Sequence, residues 1–229
     1  MNLTKNKKKQ IEGIDFTKSY KISDAIKIIK EKKYVKFDES LEVSINTGID
    51  SKQSDQNVRG SFIPPHGLGK KVQIAVFAQG KAAEEAKAAG AKHVGGEDLI
   101  SSLEKKIDVD VIVATPDMMP ELGKLGKVLG PKGLMPNPKL GSVTDDLKTA
   151  ISDAKSGQAE IRNDKDGNIG VSIGKKPFSD DKLIKNFNAI IETLEKEKSN
   201  NTVKGDLIKS AFITSTMGVS YKLKIGKNI

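Results

Sequence analysis

The sequence predicts two domains of different class: an α+β domain assembled from both ends of the chain, and an α/β domain inserted between them. Three observations lead there. The apolar pattern changes at PPHGLGKK (64–71) and again at Gly157. Between those points the strands are near-continuous apolar runs, as in a parallel sheet buried on both faces; outside them apolar and polar residues alternate. The charge divides at the same places. Residues 68–158 carry 13 Lys against 12 Asp and Glu, while the flanks carry 26 Lys and Arg against 18 acids, so +8 of the net +9 lies on the flanks.

Residues 1–21 are lysine-rich with little period, and an arm is expected there rather than an element. Ser23 is placed to cap a helix bearing Ala25, Ile26, Ile28 and Ile29, closed by the cations of KEKKY where the helix dipole favours them. Alternation from Lys36 to Ile49 predicts a strand with Leu41, Val43 and Ile45 on one side, and Ser61–Ile63 resumes the sheet after a polar, turn-rich stretch at 51–60. Pro64, Pro65, Gly67 and Gly69 then mark a domain crossing.

The insert opens with the buried strand VQIAVFA (72–78) and an alanine-rich helix over Lys81–Ala91. A short strand at His93–Val94, a helix from Glu97 to Lys106 and a second buried strand VDVIVAT (109–115) follow, with Pro116 where a helix can begin. Asp145–Ser156 forms the last helix, and Gly157 ends it. Beyond it, residues 158–174 read as a hairpin turning at Asp166–Gly167. Ser179–Lys198 is an amphipathic helix with Leu183, Phe187, Ile190, Ile191 and Leu194 at helical spacing. Strands at 206–216 and 219–225 meet across Met217–Gly218.

The N-terminal helix and strand have no sheet of their own, so they are expected to join the C-terminal strands. Residues 1–67 plus 158–229 then form one domain and 68–157 the insert, with Gly67, Gly69 and Gly157 as a hinge.

The stretch Gly123–Thr144 is of another kind. Its 22 residues hold five glycines, three prolines and four lysines without an acid. Gly and Pro at this density argue against a regular helix or strand. Leu125, Val128, Leu129, Leu134, Met135 and Leu140 pin it to a core, so an ordered basic loop system is expected.

Composition removes several function classes. No apolar run is long enough to cross a membrane, and MNLTKNKKKQ lacks the apolar segment of a secretory signal, so a cytoplasmic protein is expected. Zero cysteines exclude disulfides, thiol catalysis and Cys-based zinc sites. The two histidines, His66 and His93, are far apart and suggest no metal pair. After the first buried strand comes QGKAAE, without the glycines that bring backbone against a pyrophosphate, and no serine sits in a nucleophile elbow. The acid pairs Asp145–Asp146 and Asp180–Asp181 stand at helix starts, where the dipole explains them. Neither a cofactor nor a small-molecule substrate is predicted. The basic flanks point to nucleic acid, against a reading as solubilising charge. Arginine occurs only at 59 and 162, so arginine readout of base edges is not expected. An α/β enzyme would need the phosphate loop that is missing, and a scaffold without RNA leaves the uneven charge unexplained.

Six stretches carry a resemblance: SDQNVRG (54–60), PHGLGK (65–70), VATPD (113–117), GKLGKVLGPKGLMPNPKLGSVT (123–144), RNDKDG (162–167) and TSTMG (214–218). In this order, and over the whole chain, the sequence resembles the bacterial branch of the L-one stalk-protein family of the large ribosomal subunit. The resemblance implies a first domain built from both termini that binds large-subunit rRNA, a Rossmann-like insert, and a chain that is monomeric off the ribosome. It also implies release of deacylated tRNA from the exit site and repression of the protein's own mRNA. By matching stretch, the RNA surface would include Lys36, Phe37, Ser40, Glu42, Asn163, Lys165, Thr216, Met217 and Gly218. Lysines neutralise phosphate, hydroxyls reach ribose, and Gly218 would permit a close backbone approach. Phe37 and Met217 have a second reading as core residues, and Lys165 as a solvated turn tip. Lys124, Lys127, Lys132 and Lys139 would make auxiliary contacts with rRNA or tRNA. Gly170 stands where many relatives carry histidine, and Val219 where Pro or Ala is common.

Overall fold

The structure, a computed structural model, describes residues 5–32, 35–50, 56–70, 72–96, 98–99, 109–200 and 206–225. Most of the helix expected at 97–106 lies outside these residues. The chain divides into two compact units, Met1–Gly69 with Ala159–Ile229, and Lys70–Gln158.

In the first unit, β1 (Ser40–Thr47) lies in the middle of a four-stranded antiparallel sheet. Its neighbours are β7 (Asn168–Lys175) on one side and β8 (Ile208–Ser215) on the other, with the short β9 (Tyr221–Lys222) beyond β8. Leu41, Val43 and Ile45 are all at most 1% exposed, as their alternation predicts. Each contributes about 1.5–3 kcal/mol on leaving water. Two helices supply the facing apolar side chains: α2 (Ile22–Glu31) through Ile22, Ala25, Ile26 and Ile29, and α7 (Asp180–Asn200) through Leu183, Phe187, Ile190 and Leu194.

Several expectations are corrected here. The N-terminal arm contains a helix, α1 (Lys5–Ile11), because Lys and Gln are good helix formers even without an apolar period. Helix α2 begins at Ile22, whose burial in the core draws it into the first turn; Lys21 is the N-cap, and Ser23 faces Asp24 at 3.4 Å instead of capping. Residues 36–39 form no strand, so β1 is shorter than the alternation suggests. The expected hairpin splits between two sheets: β6 (Ala159–Arg162) pairs with β2 (Arg59–Phe62), while β7 pairs with β1. One bridge, Asn163 to Ile169, remains between the two strands.

The second unit holds a parallel sheet ordered β4 (His93–Gly95), β3 (Ile74–Phe77), β5 (Val111–Ala114). Successive residues of these strands enter different cores. Ala75, Phe77, Ile112 and Ala114 pack with Met118, Leu122 and Leu129; Ile74, Val76 and Val113 pack with Ala86, Leu147 and Ile151. Burial on both faces is why the strands lack alternation. Helix α3 (Lys81–Ala88) and helix α6 (Leu147–Lys155) serve the second core. Asp146 caps α6 by accepting from the Thr149 amide at 3.3 Å.

The glycine- and proline-rich stretch is not free of helix. Helix α4 (Met119–Lys124) runs into it and α5 (Gly126–Leu129) lies within it, with a 3-10 turn at Pro138–Leu140. Leu122, Leu125 and Leu129, at helical spacing and at most 4% exposed, draw these residues into turns against the weak propensity of Gly. Val143 then bridges to Ala114 beside the sheet.

Candidate nucleic-acid interface

With its odd-numbered residues turned to the helices, β1 presents Ser40, Glu42, Ser44 and Asn46 on the opposite face. Across the sheet, Glu42 neighbours Ser172 and Thr214, and Ser44 neighbours Gly170 and Phe212. Glu42, Ser44 and Gly170 are exposed, and a side chain built on Gly170 would meet open space. The result is a shallow surface of hydroxyls with one acid and one half-buried aromatic ring.

At one end of this face the chain is drawn together by Glu39, which the sequence reading overlooked. Its side chain is 1% exposed. One carboxylate oxygen accepts from Lys176 Nζ at 3.0 Å; the other accepts from the Ser215 hydroxyl at 3.0 Å and the Met217 amide at 3.1 Å. Burial alone would push this carboxyl up, but the bonds from Lys176, Met217 and Ser215 outweigh it and hold the group below its ordinary value. Ser40 adds a second clasp: its amide donates to Thr216 Oγ1 at 3.0 Å and its carbonyl accepts from the Thr216 amide at 3.1 Å. Lys175 Nζ reaches Ser40 Oγ at 2.9 Å. A signal for Glu39 was present. It shares the parity of Leu41, Val43 and Ile45, and an acid in phase with a core needs a buried partner.

This clasp brings Lys36, Phe37, Ser40, Glu42, Thr216, Met217 and Gly218 to one region. Phe37 and Met217 are 53% and 54% exposed, which rules out their core readings. Two large apolar side chains are thus held in water on segments fixed by buried hydrogen bonds. Lys36 and Thr216 are exposed beside them. Gly218 has a reason internal to the fold: a Cβ there would collide with the Ser215 hydroxyl that holds Glu39. Val219 is 7% exposed and belongs to the interior.

Asn163 and Lys165 lie elsewhere. They occupy the turn between β6 and β7, near the end of β1 where Asn46 faces Asn168, six residues from Ser40 and about 20 Å along the strand. Asn163 Oδ1 accepts from the Val58 amide at 2.9 Å and its Nδ2 donates to the Asp164 carbonyl at 3.0 Å, so much of its capacity is spent on backbone of this protein. Lys165 is exposed.

In the second unit Lys124, Lys127 and Lys132 are exposed, and Lys139 lies in the 3-10 turn. Gly67, Gly69 and Gly157 all take left-handed backbone, with φ of 66°, 72° and 85°. At Gly69 a Cβ would also press on the Phe178 ring at 2.9 Å. Asn186, fully buried, accepts from the His66 amide and donates to the carbonyls of Gly67 and Ile173, fastening the end of the first segment to the sheet. His66 thus belongs to the crossing turn and His93 to an edge strand. Among the described residues no group of three or more His, Cys, Asp or Glu could hold a metal, and no helix is long and apolar enough to cross a membrane.

The chain as a whole matches known proteins. Residues 29–219 match the model of the Ribosomal protein L1p/L10e family. Over 209 residues, covering 91% of this chain and 91% of the relative, the sequence is 56% identical to the large ribosomal subunit protein uL1 of Pelagibacter ubique (strain HTCC1062).

Proposed function

The chain belongs to the Ribosomal protein L1p/L10e family, a family of structural ribosomal proteins and not of enzymes, and on that premise we propose that its first unit binds large-subunit rRNA at the ribosomal stalk. The binding surface is the open face of the four-stranded sheet with the clasped segments at its end: Lys36, Phe37, Ser40, Glu42, Thr216, Met217 and Gly218. Asn163 and Lys165 contribute at the far end of β1. One observation carries the reading. Phe37 and Met217 are more than half exposed although the segments bearing them are fixed from within by Glu39. Such exposed apolar side chains on anchored backbone, beside lysine and hydroxyl groups, suit unstacked bases and ribose.

The same surface serves two RNAs in this proposal, rRNA and a similar site on the protein's own mRNA, whose translation it represses. The insert, through Lys124, Lys127, Lys132 and Lys139, adds contacts with rRNA or with deacylated tRNA leaving the exit site, and Gly67, Gly69 and Gly157 give it freedom to swing. Filter binding of the full chain to a stalk-type rRNA fragment tests the core of this. Affinity that falls steeply with salt supports it; affinity that stays flat from low to moderate salt refutes it. A reporter fused to the leader of its own message tests repression, which requires that added protein lower translation of that message only.

A further inference from the structure

Arg59 and Arg162 are the two arginines of the chain, and they stand directly opposite each other across the β2–β6 pair. Opposed residues of an antiparallel pair project from the same face with Cβ atoms about 5 Å apart, and like charges in that relation destabilise the ribbon. Glu160, a diagonal step away, relieves part of this by accepting from Arg59 Nε at 3.0 Å. Arg162 is exposed and forms no ion pair among the described residues. One carboxylate for two guanidinium groups leaves positive charge unmet.

The ribbon end is also concave. A cavity of about 620 Å³ is lined by both arginines with Asn57, Asn163, Asp164 and Lys165. Its acid is already committed. Asp164 accepts from the amides of Asp166 and Asn168 at 2.9 and 2.7 Å and from Asn168 Nδ2 at 3.2 Å, and these bonds hold its carboxyl below the ordinary range. The floor is tied by the reciprocal bonds between Val58 and Asn163 at 2.9 and 3.3 Å.

We infer that this cleft grips one RNA phosphodiester between Arg59 and Arg162, with Lys165 at its rim. The inference rests on the rRNA-binding reading above and adds residues that the matched stretches did not assign to RNA. Everywhere else the chain uses lysine for positive charge. A guanidinium offers a planar fork that meets two phosphate oxygens at once, which an ammonium does not. With its Nε held by Glu160, the fork of Arg59 is oriented before the RNA arrives.

The test measures binding of the stalk-type rRNA fragment by wild type and by Arg162→Gln, Arg162→Lys and Arg59→Lys, with thermal melts of each protein alone. Expected are a roughly tenfold loss of affinity for Arg162→Gln, a salt slope shallower by about one, and incomplete rescue by lysine at either position. The melting temperature of Arg162→Gln should stay level or rise, because a like-charge contact is removed. Wild-type affinity and slope in Arg162→Gln, with wild type binding normally, would overturn this inference alone. A fall in melting temperature would overturn it too, by making the arginine structural. If wild type itself fails to bind, the rRNA reading falls and takes this with it. A melting shift by inorganic phosphate over chloride at matched ionic strength, without any effect of the substitutions on RNA, would make the cleft a site for free phosphate and sink the RNA assignment.

Discussion

Glu39 and Lys176 form an ion pair at 3.0 Å with side chains only 1% and 12% exposed, and the same carboxylate carries the turn that ends in Gly218. Removing one partner of such a pair leaves the other buried and uncompensated. Glu39→Ala should therefore cost about 3 kcal/mol in urea unfolding. Glu39→Gln, which keeps the shape and part of the bonding, should cost less. A loss under about 0.5 kcal/mol for the alanine variant would show that the clasp adds nothing to stability.

Acidification should expose the same group. Its folded value lies below the ordinary 4.5, so the unfolded chain takes up its proton first as pH falls. The stabilisation is complete above the ordinary carboxylate range and fades as pH drops below about 4.5. Asp110, Asp146 and Asp164 are also lowered and contribute a common acid slope. The difference between wild type and Glu39→Gln isolates the one residue: their stability curves should converge toward acid pH, and parallel curves would refute the assignment.

Gly218 is required by Ser215. Gly218→Ala should destabilise the chain by about 1–3 kcal/mol through overpacking. Taking away the Ser215 hydroxyl removes the clash, so Ser215→Ala with Gly218→Ala should be less damaging than the two single effects added. Denaturation of the four proteins in a double-mutant cycle should give a coupling above about 0.5 kcal/mol, and strict additivity would disprove the contact.

Phe37→Ala and Met217→Asp should leave stability within about 0.5 kcal/mol of wild type, because neither side chain is packed. Each should weaken binding to the rRNA fragment by about tenfold, the scale of a lost base contact. A stable variant with unchanged affinity would remove its residue from the interface.

Asn163 should behave otherwise. Asn163→Ala strips the Val58 amide of its acceptor and should cost about 1–2 kcal/mol. Asn163→Asp keeps the acceptor and should restore most of that stability in the same urea titration. Equal losses in the two variants would count against the hydrogen bond as the cause.

What the sequence disclosed follows from periodicity. Leu41, Val43 and Ile45 announced a one-sided strand, and Ile74–Phe77 and Val111–Ala114 announced strands buried on both faces, because burial writes itself directly into residue type. Register left weaker marks. RNDKDG looks like a hairpin turn locally, yet Arg162 pairs with Arg59 and Asn168 with Asn46, a choice made by partners more than 100 positions away. In the stretch after Gly123, glycine propensity argued for loop, and the burial of Leu125 and Leu129 decided for short helical turns. The interface was legible only in part. Phe37 and Met217 could be named from matching stretches, but the anchor beside them is Glu39, whose meaning appears only with Lys176 and Ser215 in place.

The central position of β1 has a consequence for synthesis. Glu39 and Ser215 bond across 176 positions of sequence, and β1 sits between two strands that both lie after the insert. As the nascent chain lengthens, Leu41, Val43 and Ile45 are made early but have no sheet to enter until β7 and β8 emerge. The insert is contiguous, and its parallel sheet can close while the first unit still waits. Contacts of such long separation are slow to form, and unpaired strands invite association in the meantime. The lysines that crowd the early segment, from Lys5 to Lys36, would keep that waiting chain charged and apart from its neighbours until its last strands arrive.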